Sequence, residues 1–414
     1  MRGNSWFFLA SVVFVVSLIA KQAPLFVIAL LIALSAAASR LWNRFCLHRV
    51  EFHRALSRHK VFCGEEIIYE TEIINRKLLP LPWLQIDDEL PEEVTLLKEK
   101  IDKGYQNRVL LCARSPIGMY HKIKRRYPMR CLRRGVFVFG PTRIRSGDLF
   151  GLLEKETVND KLEYLTVYPR LVQLEKLGIP SRQLFGDLRT RNHLFQDPVL
   201  TAGVREYRFG DSLKRIHWKS SARLGKLQTK VYEPTSTLDL SIFLDVRTVK
   251  EPLWGSLVQL QELMIVAAAS IAKHALEAGF RVGLYANQSW LVSPGTVMVP
   301  HSRHVDQLEH ILEALARIHD SESMPMSRFI RQQAPNLPWG STLLVIASQP
   351  TDELFSTLLD LQRPGRNTAF IKVGGDQVKI HNERLFVYHL SDDVAWEIID
   401  HMHIASDEPG RRGQ

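Results

Sequence analysis

The chain opens with two apolar runs and then changes its hydrophobic period twice. Trp6 to Ala20 is apolar apart from Ser11 and Ser17, Lys21-Gln22 interrupts, and Ala23 to Ala38 is apolar again with Pro24 near its start. Proline suits the first turn of a helix, where its missing N–H needs no partner. Each run is near the short end of the roughly 17–25 residues that span a bilayer. The pattern therefore predicts a hairpin of two transmembrane helices over residues 5–41. The competing reading is a signal peptide followed by one span. Arg2 supplies the short positive start, but no A-x-A site follows and a second apolar run comes at once.

From about Val50 to Tyr168 short alternating apolar runs lie between turns. Ile67 to Ile74 reads as a strand ending at Asn75. Leu79-Pro80-Leu81-Pro82-Trp83-Leu84 cannot be helix, and its two prolines allow only an edge or extended segment. Arg134 to Pro141 reads as a strand closed by a Gly-Pro turn. Strands at this spacing imply a small β-sandwich over 50–168.

Leu171 to Asp197 reads as a linker, and residues 169–235 as that linker plus a strongly patterned polar stretch. Beyond it, Leu238 to Val246 is nearly continuously apolar, as in a strand buried on both faces. Leu257 to Ala278 is a helix stopped by Gly279. Arg281–Ala286, Thr342–Ser348, Thr368–Val373 and Leu385–Leu390 read as strands, and His301–His319, Asp352–Leu361 and Val394–Met402 as helices. This alternation predicts a mostly parallel sheet with helices on both faces over 236–404, then a disordered tail over 405–414.

At 414 residues and 24% charged, the composition is globular and allows two or three domains. The net charge of +10 favours an acidic partner or an anionic membrane surface. Arg40, Arg44, Arg49, Arg54, Arg58 and Lys60 follow the second apolar run against a single Glu51. The positive-inside rule places that side, and with it the soluble domains, in the cytoplasm. These cations could also lie on anionic lipid headgroups. Lys122 to Arg134 holds seven basic residues and no acid. It reads as a nucleic-acid or lipid patch, or as strand-edge charge that discourages edge pairing. Only Tyr127 offers an aromatic ring there, so nucleic acid is not expected. Cys46, Cys63, Cys112 and Cys131 form no C-x-x-C, hence neither a disulfide framework nor a zinc site.

The densest chemistry lies between residues 204 and 223. Gly210-Asp211 reads as a turn that starts a helix, with the Asp carboxylate capping the first free N–H groups. Leu213, Ile216 and Ala222 would face a core, with Lys214, Arg215, Lys219 and Arg223 around them, and Gly225 would stop the helix. Arg205, Arg208, Arg215 and Arg223 could grip a carboxylate or phosphate. Alternatively, Glu206 and Asp211 could pair with them in a structural lock. Trp218 could be a core anchor or an interface hot spot.

The stretch resembles the signature R-E-Y-x-x-G-D-x-x-R-x-I-x-W-x-x-S-A-R of a bacterial domain-of-unknown-function family, number fifty-eight, and matches it at nearly every fixed position. The earlier part is also similar to that family, in Arg133-Arg134-Gly135, Gly140-Pro141 and Asp148, Phe150, Gly151, Leu152. The resemblance implies a von Willebrand factor A-like α/β domain after the β-sandwich, in a protein of the bacterial cytoplasmic membrane. It also implies a MoxR-type AAA+ ATPase partner, and a transglutaminase-like membrane protein as a second. On that footing Arg205, Glu206, Tyr207, Gly210, Asp211, Arg215, Trp218, Ser221 and Arg223 are the candidate partner- or ligand-binding residues.

Asp245, ending the first buried strand, stands where metal-binding von Willebrand factor A-type domains carry D-x-S-x-S. Here Arg247 and Val249 replace the two serines, and a guanidinium beside the carboxylate repels a cation. An Asp245–Arg247 pair is expected rather than a metal centre. His301 and His304 could share a helix face, a weak metal signal without a convergent carboxylate. No G-x-S-x-G, H-E-x-x-H or P-loop occurs, so no catalytic residue and no cofactor is expected. The leading expectation is a non-enzymatic, membrane-anchored adaptor in complex assembly or envelope maintenance. A divalent-metal module or enzyme centred on Asp245 is one alternative. Nucleic-acid or anionic-lipid binding through the basic stretches is another.

Overall fold

The computed structural model describes residues 15, 23–96, 102–103, 108–148, 153–179, 185, 196–234, 238–248, 257–288, 297–319, 324–338, 340–362, 366–375 and 385–391. The chain divides into two compact units, Met1–Tyr168 and Pro169–Gln414.

The first unit begins with helix α1 (Ala23–Phe45), and among the described residues no other helix is long and apolar enough to cross a membrane. Its 23 residues reach about 34 Å. Twelve strands follow: β1 (Val50–Leu56), β2 (Lys60–Phe62), β3 (Glu66–Asn75), β4 (Leu81–Pro91), β5 (Val94–Leu96), β6 (Asp102–Lys103), β7 (Arg108–Ile117), β8 (Lys122–Cys131), β9 (Gly135–Phe139), β10 (Thr142–Gly147), β11 (Glu154–Asn159) and β12 (Glu163–Tyr168). They form sheets ordered β1-β3-β8-β5, β11-β10-β4-β7-β6 and β2-β12-β9. All three contribute to one core, with Leu56, Ile67, Tyr69 and Met129 from the first, Leu90 and Leu111 from the second, and Val61, Phe139, Leu165 and Val167 from the third.

Inside this unit lies a buried ion pair. Arg54 Nη2 stands 3.1 Å from Asp88 Oδ1, with both side chains almost wholly buried. The Tyr69 hydroxyl donates to Asp88 Oδ2, and Thr142 Oγ1 donates to Oδ1 at 2.7 Å. Burial pushes both the Asp88 carboxyl and the Tyr69 phenol above their ordinary ranges.

Two readings of this unit change. The proline-rich segment enters β4, an interior strand paired with β10 and β7. Pro82 is tolerated because the β4–β7 register shifts between Leu81 and Leu84, a bulge that needs no ladder bond there. The basic run Lys122–Arg134 is not edge charge either, since β8 lies between β3 and β5. The β3 register sets Glu66 opposite Arg130, Glu70 opposite Arg126 and Glu72 opposite Lys124. Glu70 pairs with Lys124 and Arg126, Glu72 with Lys122 and Glu66 with Arg130, each at 2.6 Å. Much of the run's charge is thus neutralised by the neighbouring strand.

In the second unit β13 (Gln196–Glu206) and β14 (Gln228–Pro234) pair antiparallel and frame the short helix α2 (Trp218–Leu224). Then come β15 (Asp239–Leu244), α3 (Val258–Glu277), β16 (Arg281–Ala286), β17 (Val297–Ser302), α4 (Gln307–Ala316), α5 (Met326–Gln333), β18 (Thr342–Ala347), α6 (Asp352–Gln362), β19 (Thr368–Val373) and β20 (Phe386–Leu390). One sheet holds them in the order β17-β16-β15-β18-β19-β20, with only β17 antiparallel to its neighbour. Every residue of β15, β18 and β19 is buried, which explains their continuous apolar runs.

The expected fold class is corrected on two counts. One described helix, not two, could span a membrane. The run Trp6–Ala20 lies outside the described residues except for Val15. Among the described residues twenty strands in five sheets face only six α-helices, so the chain is mostly strand and not a von Willebrand factor A-type α/β fold. The strand–helix alternation misled locally as well. His301–His319, expected as one helix, begins in β17 and becomes helical only from Gln307. Residues 196–206, expected as linker or motif, are a strand. Pro198 and Gly203 blur its period, and the β13–β14 register is irregular there. The expected helix Val394–Met402 and the tail 405–414 lie outside the described residues.

Candidate docking site

The patterned stretch of residues 204–223 leaves the end of β13, turns, and returns through α2 to β14. Gly210 has a φ of 104°, a left-handed conformation that glycine adopts without strain. The turn is closed by Asp211, whose Oδ1 and Oδ2 accept from Arg205 Nη2 at 2.7 Å and Nη1 at 2.8 Å. Asp211 Oδ2 also accepts from the Arg208 amide at 2.9 Å. The Arg205 hydrogen bonds, reinforced by the Arg208 amide, hold the Asp211 carboxyl down at about 2.

The expected single helix is broken into three pieces. Leu213–Arg215 is one 3-10 turn, Ile216 bridges to Thr229, and α2 begins only at Trp218. Asp211 therefore caps no helix and instead ties the turn to its own strand. His217 takes the capping role, its Nδ1 accepting from the Ser220 amide at 3.1 Å. Ser221 is buried, donating to the His217 carbonyl and accepting from the Gln228 amide at 2.9 Å. Gly225, at φ 67°, ends the helix as expected.

These bonds divide the candidate residues by role. Arg205, Asp211, Ser221, Gly210 and the backbone of Tyr207, which donates to the Leu227 carbonyl at 2.9 Å, hold the turn to the hairpin. Glu206 pairs at the surface with Lys226. Trp218, Arg215 and Arg223 face outward. Ile216 alone of the expected core residues is buried. Leu213 is 67% exposed, Trp218 69% and Phe209 fully exposed, because a 3-10 turn and a bridge do not present a helical apolar stripe inward. The sequence reading missed Phe209 and Leu213 as surface groups. Their only advance signal was two large apolar residues beside a Gly-Asp turn.

At the carboxyl end of β15, Asp245 is wholly buried and accepts from Arg247 Nη2 at 3.1 Å, from Arg247 Nε at 3.2 Å and from Asn287 Nδ2 at 2.7 Å. Its oxygens are thus occupied by donors. Ser348, at the end of β18, donates to the Arg247 carbonyl. Among the described residues no three His, Cys, Asp or Glu side chains gather as a metal-binding group. His301 and His304 do not share a helix face. His304 lies in a turn beside Asp306, while His301 sits in β17 with its Nε2 2.9 Å from Ser241 Oγ and its Nδ1 3.2 Å from Tyr285 Oη.

Burial lowers the His301 ring to about 4. The unfolded chain takes up that proton near pH 6.5, before the folded one does. The His301 contribution to stability should therefore hold above pH 6.5 and decline as the pH falls to 4, by about 3 kcal/mol at most. Urea unfolding between pH 7 and 4 should show this acid-side loss, and His301→Gln should remove it.

Residues 203–336 match the family model described as Protein of unknown function DUF58. The chain contains a DUF58 domain. The DUF58 match begins just before Arg205 and takes in the whole locked turn, β15, α3, β16, β17, α4 and α5. YeaD of Bacillus subtilis (strain 168), described as an uncharacterized protein, is 26% identical over 291 residues, covering 69% of this chain and 67% of that protein. Among solved structures, the CARDB domain of a Pyrococcus furiosus protein shares 11% identity, covering 28% of this chain and 89% of that one, with a TM-score of 0.20. A non-cellulosomal cohesin from Archaeoglobus fulgidus also shares 11%, over 31% of this chain and 96% of that one, at the same TM-score. At such scores neither likeness bears on the fold of the DUF58 chain.

Proposed function

We propose that this protein is a membrane-anchored, non-enzymatic docking protein whose locked signature turn receives a protein partner. The observation that carries this reading is the division of labour within the turn. Arg205, Asp211, Ser221 and His217 are consumed in hydrogen bonds that fix its shape. Phe209, Leu213 and Trp218 are held out in water among Arg208, Lys214 and Lys219. Large apolar groups left exposed on a rigid support, ringed by cations, fit an acidic protein surface with an apolar centre. The α1 helix supplies the anchor, and the basic residues after it place the soluble units in the cytoplasm. Neither alternative gains support: Arg247 fills the Asp245 carboxylate, and the β3 glutamates neutralise much of the β8 cations.

By family resemblance the partner is a MoxR-type AAA+ ATPase, with a transglutaminase-like membrane protein as a second. The complex would serve assembly or envelope maintenance. The test is a pull-down of the solubilised full chain against the purified ATPase, with and without nucleotide. Retention that falls steeply as salt rises is expected. No retention in either nucleotide condition would reject the assignment.

A further inference from the structure

The end of the first unit where α1 emerges carries an exposed apolar tip that the docking reading leaves unused. We propose that the β3–β4 turn around Leu78 and the β7–β8 turn at Met119-Tyr120 form a second membrane contact that sits in the interface of an anionic bilayer. This rests on the reading of α1 as a membrane anchor.

Three observations carry it. First, α1 is built into the unit rather than loosely tethered to it. Trp42, Cys46 and Leu47, at and just past its end, pack with Phe52, Leu81, Leu84 and Ile117. Lys77 Nζ donates to the carbonyls of Cys46 and His48, and Lys155 Nζ to that of Arg44, so two lysines cap the helix's last carbonyls. Wherever α1 enters a bilayer, this end of the unit lies at its surface.

Second, the two turns are locked to each other and to the helix exit. Buried Asn75 donates its Nδ2 to the Gly118 carbonyl at 2.8 Å and to the Leu79 carbonyl at 3.0 Å. The Tyr120 amide donates to the Lys77 carbonyl at 3.2 Å, and the Arg76 amide to the Arg49 carbonyl at 3.0 Å. Tyr120 is held at a φ of 48°, a left-handed conformation unusual for so bulky a residue.

Third, the side chains at the tips match an interface. Leu78 is 69% exposed, Tyr120 66% and Met119 58%, although the unit has an apolar core that could have taken them. Cations surround them: Arg40 and Arg44 on the last turns of α1, then Arg49, Arg76 and Lys77. The acids nearby are already engaged, Glu51 with Arg76 and Glu72 with Lys122. A tyrosine and two aliphatic tips framed by Arg and Lys are the groups that settle at the level of anionic headgroups.

The test uses the full chain in vesicles containing phosphatidylglycerol. In a Cys63→Ser, Cys112→Ser background, a bimane label is placed at Leu78→Cys or Met119→Cys. A label at Ile68→Cys serves as control, because Ile68 is exposed on β3 about 23 Å along the strand from Asn75. Lipids carrying a nitroxide near the headgroup should quench positions 78 and 119 several-fold more than position 68. That difference should shrink when phosphatidylcholine replaces the anionic lipid. Equal quenching at all three positions, in a chain that floats with the vesicles after an alkaline wash, would overturn the proposal. Quenching indifferent to lipid charge would overturn its anionic part. Failure to float would overturn the membrane reading beneath it, and this contact with it.

Discussion

Trp218→Ala should leave the chain folded and weaken capture of the partner by about 30-fold or more. The indole is 69% exposed at the first position of α2, so its removal opens no cavity. The bonds that shape the turn do not involve its side chain: Asp211 is held by Arg205 and the Arg208 amide, and Ser221 by His217 and Gln228. Asp211→Ala provides the contrast. It strips Arg205 of its carboxylate and the Arg208 amide of its acceptor, so the turn should loosen and become sensitive to protease while the parallel sheet stays folded. Equilibrium binding by both variants, alongside their melting curves, separates the two roles. A Trp218→Ala chain that binds as well as the parent would remove the outer face of the turn as the docking surface. A chain that unfolds would make the indole structural.

Asp88→Ala should destabilise the first unit by about 3–5 kcal/mol, the usual result of breaking a buried ion pair by deleting one partner. The loss comes mainly from what remains. The Arg54 guanidinium keeps its burial without its carboxylate, and the hydroxyls of Tyr69 and Thr142 lose their common acceptor. The double replacement Arg54→Leu, Asp88→Leu should be milder than the single one, because no charge is then stranded. Denaturant unfolding of the detergent-solubilised chain reads both. A single variant no less stable than the parent would show that the pair contributes nothing. A double variant as unstable as Asp88→Ala would show that packing, not the stranded charge, dominates.

How much was legible depended on the range of the interaction. β15, β18 and β19 were readable because a strand buried on both faces needs apolar residues throughout, a local requirement. The α3 helix was readable from its 3.6-residue spacing and Gly279. The interior position of β4 was not, because Pro82 argues for an edge unless a bulge absorbs it, and the bulge depends on β7, more than twenty residues away. The basic run of β8 looked like a binding patch because its neutralising glutamates lie on β3, in a register only the pairing creates.

By itself, then, the sequence determined the family signature, the buried strands of the second unit and the apolar character of α1, since each is written in contiguous residues. Tertiary structure alone decided which signature residues face inward and which face water. Asp211 reaches back to Arg205 across a strand end, and Ser221 reaches across to Gln228. Those bonds, together with the bridge from Ile216 to Thr229, break what would otherwise be one amphipathic helix and turn Phe209, Leu213 and Trp218 outward. Hydrophobic spacing describes a face only while the backbone keeps one period, and here long-range pairing ends that period within a few residues.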